Sequence, residues 1–243
     1  MTLISANSVL PAERIPVTLT TSDSLTLIGE LATPPEPEAT IICVHPLPTH
    51  GGMMDSHIFR KMAWRLPALA NIAVLRFNSR GTTSAAGTSE GSFDRAEGEG
   101  KDLQAAITFA VESGLPNIWV IGWSFGTDVI LKNMRDPAVV GAILLSPPLR
   151  FTSEEELRYW NGIDIPVYAL IPEHDDFLPP DQAVIRFSPA PGIHLEAVPG
   201  AKHLWVGEKF VSLVLNRVVE LIAPSHAPLP ANWDGHMERW NDL

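Results

Sequence analysis

Cysteine is almost missing from these 243 residues. Cys43 stands alone, so no internal disulfide can form, and its place in the apolar run Ile41-Ile42-Cys43-Val44 marks a small buried hydrophobe. Positive charge is scarce too: 17 Lys and Arg face 28 Asp and Glu, a formal net charge of −11 with a pI near 5.1. That balance gives no electrostatic reason to approach a phosphate backbone or an anionic lipid surface, so nucleic acid is not an expected partner. No apolar run reaches the roughly 18 residues a membrane-spanning helix needs. Met1 to Leu10 has no basic n-region, and Pro11, Glu13 and Arg14 interrupt before an apolar core forms, so the chain reads as cytoplasmic, without a signal peptide. The glycine series Gly87, Gly91, Gly98, Gly100 lacks the strand-to-helix setting of a nucleotide or dinucleotide loop, and no cofactor is expected.

What is present is an ordinary globular composition, 45% hydrophobic and 19% charged with 22 prolines spread along the chain, long enough to bury a substantial core. After residue 40, short apolar runs alternate with amphipathic ones, the order of an α/β protein with a mostly parallel central sheet and helices on both faces. Strands are expected at Ile41 to His45, Ala73 to Phe77, Ile118 to Ile121, Val139 to Leu145, Pro166 to Ile171 and Ile193 to Val198. Helices are expected at Asp55 to Ala70, Glu97 to Glu112, Thr127 to Met134 and Val206 to Ile222. Before them, Arg14 to Thr20 and Leu25 to Ala32 surround the polar turn Thr21-Ser22-Asp23-Ser24 and predict an antiparallel hairpin at one edge. The chain then divides into a domain over 1–223 and a tail over 224–243. Pro224, Pro228 and Pro230 prevent a regular element in the tail, while Trp233 and Trp240 predict that it docks on the domain.

The residues that carry chemistry begin with Gly122-Trp123-Ser124-Phe125-Gly126, a G-x-S-x-G motif between a predicted strand and a predicted helix. That setting distinguishes a nucleophile elbow from a plain turn: the serine sits on a sharp bend where side chains at either glycine would collide with backbone. A serine hydroxyl is a weak nucleophile, so it needs a base to take its proton and an acid to hold that base in one tautomer. Downstream, Pro172-Glu173-His174-Asp175-Asp176 follows a strand. Asp175 is the chosen acid, with Asp176 and Glu173 as the alternatives, while Asp164 precedes the strand and lies at the wrong end of the sheet. Of eight histidines, His45, His50 and His57 precede the serine, His194 lies in a strand, and His226 and His236 lie in the tail. His174 adjoins the acid and is read as facing solvent or the pocket rim. His203, after Pro199-Gly200-Ala201-Lys202, is the expected base. Developing oxyanion charge needs preorganised donors. The amide of Phe125 is one, and since Pro46 has no N–H to give, Leu47 is the other. A metal site at His45, His50 and His57 is not expected, because spacings of five and seven do not put the three ligands on one helix face and no cysteine accompanies them.

With His45-Pro46-Leu47, Gly51-Gly52-Met53-Met54-Asp55, Leu75-Arg76-Phe77-Asn78-Ser79-Arg80-Gly81, the G-W-S-F-G elbow, His174-Asp175-Asp176-Phe177-Leu178-Pro179 and Ala201-Lys202-His203, the chain resembles the compact bacterial α/β-superfamily serine hydrolases related to dienelactone hydrolases and serine aminopeptidase-like esterases. The resemblance spans roughly Thr40 to Ile222. It implies the α/β-hydrolase fold, a Ser124-His203-Asp175 triad and an oxyanion hole at Leu47 and Phe125. The chain departs from it at Thr82-Thr83-Ser84-Ala85, where such proteins commonly carry Val-Gly-Arg-Ser. Only about twenty residues separate the strands that bracket the cap in larger relatives, which predicts a minimal helical lid at Ser153 to Trp160 and an open pocket. Phe125, Leu47, Trp123, Phe177, Leu178 and Trp205 are its expected lining, around a small or medium ester with an apolar acyl group. A thioesterase or amidase would use the same triad, and a non-catalytic binding protein on the same scaffold is the reading from another class.

Overall fold

The computed structural model describes residues 1–240, and its centre is an eight-stranded sheet. In chain order the strands are β1 (Glu13–Thr20), β2 (Thr26–Thr33), β3 (Ala39–Val44), β4 (Ile72–Phe77), β5 (Ile118–Trp123), β6 (Val139–Leu145), β7 (Val167–His174) and β8 (His194–Lys202). Across the sheet they run β8-β7-β6-β5-β3-β4-β2-β1. β1 pairs with β2, and β2 with β4, antiparallel; every other pairing is parallel. This is the α/β-hydrolase fold, and the edge hairpin falls where the polar turn at 21–24 places it.

The helices are α1 (His57–Ala70), α2 (Glu99–Glu112), α3 (Phe125–Asn133), α4 (Glu154–Tyr159), α5 (Pro180–Arg186) and α6 (Glu208–Ile222). β3 is buried along its whole length, and its side chains alternate between two cores as a doubly covered strand must. Ile42 and Val44 join the core beneath α2 and α3, while Ile41 and Cys43 join the core beneath α1 and α6. Burial drives the Cys43 thiol well above its ordinary pKa, so it is an inert apolar filler.

Three expectations need correction. β7 and β8 run three and four residues further than their apolar patterns predict, because Pro172 and His174 keep pairing with Val198 and Lys202 across an irregular register. His203 therefore follows a strand directly rather than sitting in a loop. α5 has no counterpart in the expected elements: its buried face is only Ala183, with Val184 and Ile185 exposed, so it has no helical apolar stripe to read. The segment expected as a lid does form a helix, capped by a box between Ser153 and Glu156. It packs on α3, however, through buried Leu157, the Trp160 Nε1–H bond to Leu131 O (2.9 Å) and the Lys132–Glu156 pair (2.8 Å), and does not cover a cavity.

The chain's two ends meet. Thr2–Leu3 pairs with Asn232–Trp233, and Ser8–Val9 with Glu238–Arg239, both antiparallel. These two-residue ladders form because they lie beyond Pro224, Pro228 and Pro230, so none of their hydrogen bonds needs a proline's missing N–H, and the tail does carry regular elements. The Trp240 ring packs on Trp64 (5.2 Å between centroids), with the Arg60 guanidinium over both. Residues 241–243 of the expected tail lie outside the described residues. No helix among the described residues is long and apolar enough to cross a membrane.

Candidate active site

Chain order reverses between β3 and β5, and the crevice at the carboxyl ends of these strands is where open α/β sheets bind ligands. Here β5 delivers Ser124. Its backbone is held at φ 52, ψ −118, a conformation costly for any side chain but glycine's. The bend persists because its surroundings permit nothing else. The Ser124 amide donates to Leu145 O (2.8 Å), and its carbonyl accepts from the Thr127 amide (2.8 Å) and hydroxyl (2.7 Å). A Cβ at Gly122 would come within 2.6 Å of the Gly126 backbone, and one at Gly126 would overlap Val44 O.

Three side chains from three strand ends then line up. Ser124 Oγ lies 2.9 Å from His203 Nε2, and His203 Nδ1 lies 2.9 Å and 3.1 Å from the Asp175 carboxyl oxygens. A carboxylate can only accept, so Nδ1 carries the imidazole proton and Nε2 is left to accept from the serine hydroxyl. Asp175 Oδ1 also accepts from the amides of Phe177 (2.8 Å) and Leu178 (3.2 Å), which fixes the carboxylate in the turn after β7. The other side of His203 is pinned as well. Its carbonyl accepts from Trp123 Nε1 and from Ser146 Oγ, each at 3.1 Å, and the Phe177 ring covers the imidazole at 4.5 Å. Asp176 and Glu173 do not reach the imidazole: Asp176 is exposed beside the cavity, and Glu173 accepts from the Gly200 amide.

Ser124 and His203 open onto a cavity of about 570 Å³. Leu47, Trp123, Phe125 and Phe177 border it as the sequence predicts. Leu178 and Trp205 do not, and both belong to the core instead. At 177–178 adjacent side chains point to opposite sides, so Phe177 is exposed and Leu178 is buried. After His203 a turn bonds the Trp205 amide to Lys202 O (2.9 Å) and sends the indole inward, leaving Leu204 at the cavity. Among the described residues, the amides of Leu47 and Phe125 have no acceptor within the chain. Two unpaired donors beside the serine are what an oxyanion requires.

Several wall residues carry no sequence signal and were missed. Pro148, Arg150 and Phe151 come from the segment after β6, and Phe151 packs edge-on against Phe125 (5.7 Å), with Phe93 touching both. His57, also at the wall, stands edge-on to Trp123 at 5.1 Å and donates from Nε2 to Trp205 O (3.3 Å). Burial lowers its pKa, the Trp205 carbonyl opposes this, and the Lys61 and Arg60 charges lower it further. His45 has a structural task. Its Nδ1–H donates to Pro46 O (2.7 Å), and Nε2 accepts from the Ser79 amide (3.0 Å) and hydroxyl (2.9 Å), tying the loop that carries Leu47 to the loop after β4. Burial brings its pKa down to about 4 against the pull of the Pro46 carbonyl. The signal for this role was available: a histidine at a buried strand end, next to a proline whose carbonyl needs a donor. With both ring nitrogens occupied, His45 cannot ligate a metal, and no group of three or more ligating side chains comes together among the described residues.

The chain has the α/β-hydrolase fold. Its solved neighbours agree. An α/β serine hydrolase from Xanthomonas campestris, described as lacking a lid, is 27% identical over 89% of this chain and 98% of its own, with a TM-score of 0.68. An α/β serine hydrolase homologue from Coxiella burnetii is 24% identical over 87% of this chain and 96% of its own (TM-score 0.69). An esterase from Pyrococcus furiosus, 19% identical over 87% of this chain and 94% of its own, shares the fold (TM-score 0.68). No protein-family model and no curated protein matches the chain.

Proposed function

We propose that the protein is a serine hydrolase that cleaves small or medium carboxylic esters through an acyl-enzyme. As Ser124 Oγ attacks the ester carbonyl, its proton passes to His203 Nε2, and Asp175 steadies the imidazolium through Nδ1. Negative charge on the tetrahedral carbon's oxygen falls to the amides of Leu47 and Phe125, a donor pair of which each member is typically worth roughly 3 kcal/mol of barrier. Collapse expels the alcohol, protonated by His203, and leaves the acyl group on Ser124. Water then enters by the same route, giving its proton to His203 and releasing the acid. The observation that carries this reading is the unbroken line from Ser124 Oγ through His203 to Asp175, each step about 2.9 Å, at a cavity wall.

Esters are favoured over coenzyme A thioesters by charge: a chain of net −11 has no electrostatic attraction for a polyphosphate carrier. Esters also suit a mouth that no cap narrows. Short p-nitrophenyl esters test the proposal, with a burst of nitrophenolate equal to the enzyme present followed by steady turnover. Folded protein that gives neither burst nor turnover contradicts it. Faster hydrolysis of acyl-CoA or peptide amides than of matched esters would keep the triad and replace the substrate class.

A further inference from the structure

Of the three aligned residues, His203 has the least support from the sheet. β8, which delivers it, is the outermost strand, and the last registered pair of that strand, Lys202 with His174, precedes the base. Ser124 leaves β5, an interior strand paired on both sides. Asp175 is fixed by the Phe177 and Leu178 amides on its carboxylate and by its own amide's bond to Pro172 O (3.2 Å). Past Lys202 the ladder ends and the chain turns, with Trp205 at φ 51. The buried His203 carbonyl therefore needs donors from elsewhere. Two side chains supply them, Trp123 Nε1 and Ser146 Oγ, each at 3.1 Å.

Both donors reach over from the far side of β7. Trp123 ends β5 and Ser146 follows β6, while β7 stands between β6 and β8. Trp123 is also the residue before Ser124, so its indole ties the backbone of the serine to the backbone of its base. A tryptophan side chain has few torsions to lose, and this buried one is wedged edge-on by His57 (5.1 Å) and Phe59 (6.3 Å), which makes the link stiff. Ser146 is held at φ 50, a left-handed conformation that a serine adopts at a cost, with its amide bonded to Leu170 O (3.0 Å). Such a conformation persists only where the surroundings enforce it. We propose that Trp123 and Ser146 are positioning residues for the base: by gripping the His203 carbonyl they set the 2.9 Å separation of its Nε2 from Ser124 Oγ. This rests on the serine-hydrolase reading, because it takes His203 as the group that receives the serine's proton.

Trp123→Phe keeps an aromatic ring and removes one donor; Ser146→Ala removes the other. Each single variant retains one tie, so its kcat on p-nitrophenyl butyrate is expected to fall by about 3- to 10-fold. The double variant strips both. Its kcat is expected to fall by on the order of 100-fold, the scale of a misplacement of about 1 Å, with KM within about two-fold of wild type. The same substitutions placed on His203→Ala separate positioning from packing. With no imidazole to aim, the residual rate is expected to stay within about two-fold of that of His203→Ala alone. Ser146→Ala removes a single heavy atom, so its half of this cycle stands even where the Trp123 variants fail to fold. Three results overturn the proposal and leave the serine-hydrolase reading intact. They are a wild-type kcat in the double variant (or in Ser146→Ala where the Trp123 variants do not fold), a loss carried by KM, and an equal proportional loss on the His203→Ala background. Absence of burst and turnover in the wild type, together with no fluorophosphonate labelling, overturns both.

Discussion

Two buried polar clusters lie on the loops of this molecule, and one is closed where the other is open. Around Arg80, Nε and Nη2 donate to Asp102 (3.0 and 2.8 Å), Nη1 donates to Asp23 (3.1 Å), and the Arg80 amide donates to Asp102 Oδ2 (2.8 Å). Gly98 completes the seal, because a Cβ there would overlap the guanidinium. Around Ser124 the hydrogen-bond chain from Asp175 ends at a hydroxyl on the cavity, beside two amides with no partner among the described residues. A saturated network holds a shape. An unsaturated one, held rigid by the same kind of packing, has donors and a hydroxyl left over for something that is not protein.

Four substitutions test this contrast. Asp175→Asn leaves the geometry in place but favours the wrong imidazole tautomer, so kcat on a short ester is expected to fall by about 10⁴ with the urea midpoint almost unchanged. A comparable loss of stability would mean that the open cluster is structural after all. Asp102→Ala is the mirror case. It strands a buried guanidinium and should cost about 3–5 kcal/mol of stability by denaturant titration, while kcat per folded molecule stays within a few-fold.

His45 lies between the two behaviours, being fully bonded yet tied to the Leu47 loop. Its pKa of about 4 in the folded state lies below the ordinary histidine value of 6.5, so the unfolded chain binds the extra proton first. Its contribution is therefore complete above pH 6.5 and is lost as pH falls from there toward 4, by up to about 3 kcal/mol. Urea midpoints at pH 7.5 and pH 4.5 check this: the wild type should lose more stability on acidification than His45→Gln does, and equal losses would contradict it. At the small end, the Arg217–Glu196 pair (2.8 Å) is partly solvent-exposed. Glu196→Gln is expected to shift stability by about 0.5 kcal/mol or less, a baseline for what an ion pair contributes outside either cluster.

The same contrast explains what could be read from the chain alone. Ser124, His203 and Asp175 were legible because each is bound to a local pattern that recurs for steric reasons: glycines flanking a strained bend, and residues just past strand ends. The missing amide of Pro46 pointed to Leu47, which lines the cavity. The cavity lining was read less well, since whether Leu178 or Phe177 faces the cavity depends on one turn, and the turn after His203 sends Trp205 into the core. Pro148, Arg150 and Phe151 could not be placed, because the segment bearing them has no period and is held by a tertiary bond to Asp128. The supposed lid failed for a related reason. Its helical pattern was correct, but which surface an amphipathic helix covers is decided by its partner, here α3.

The central claim is that Ser124 alone is activated, and that His203 activates it. The most direct test is intact mass after treatment with a fluorophosphonate, followed by peptide mapping of the adduct. One adduct per chain is expected, on the peptide bearing Ser124, absent from Ser124→Ala and strongly slowed in His203→Ala. Labelling that persists in Ser124→Ala, or that proceeds at the wild-type rate without His203, would contradict the account.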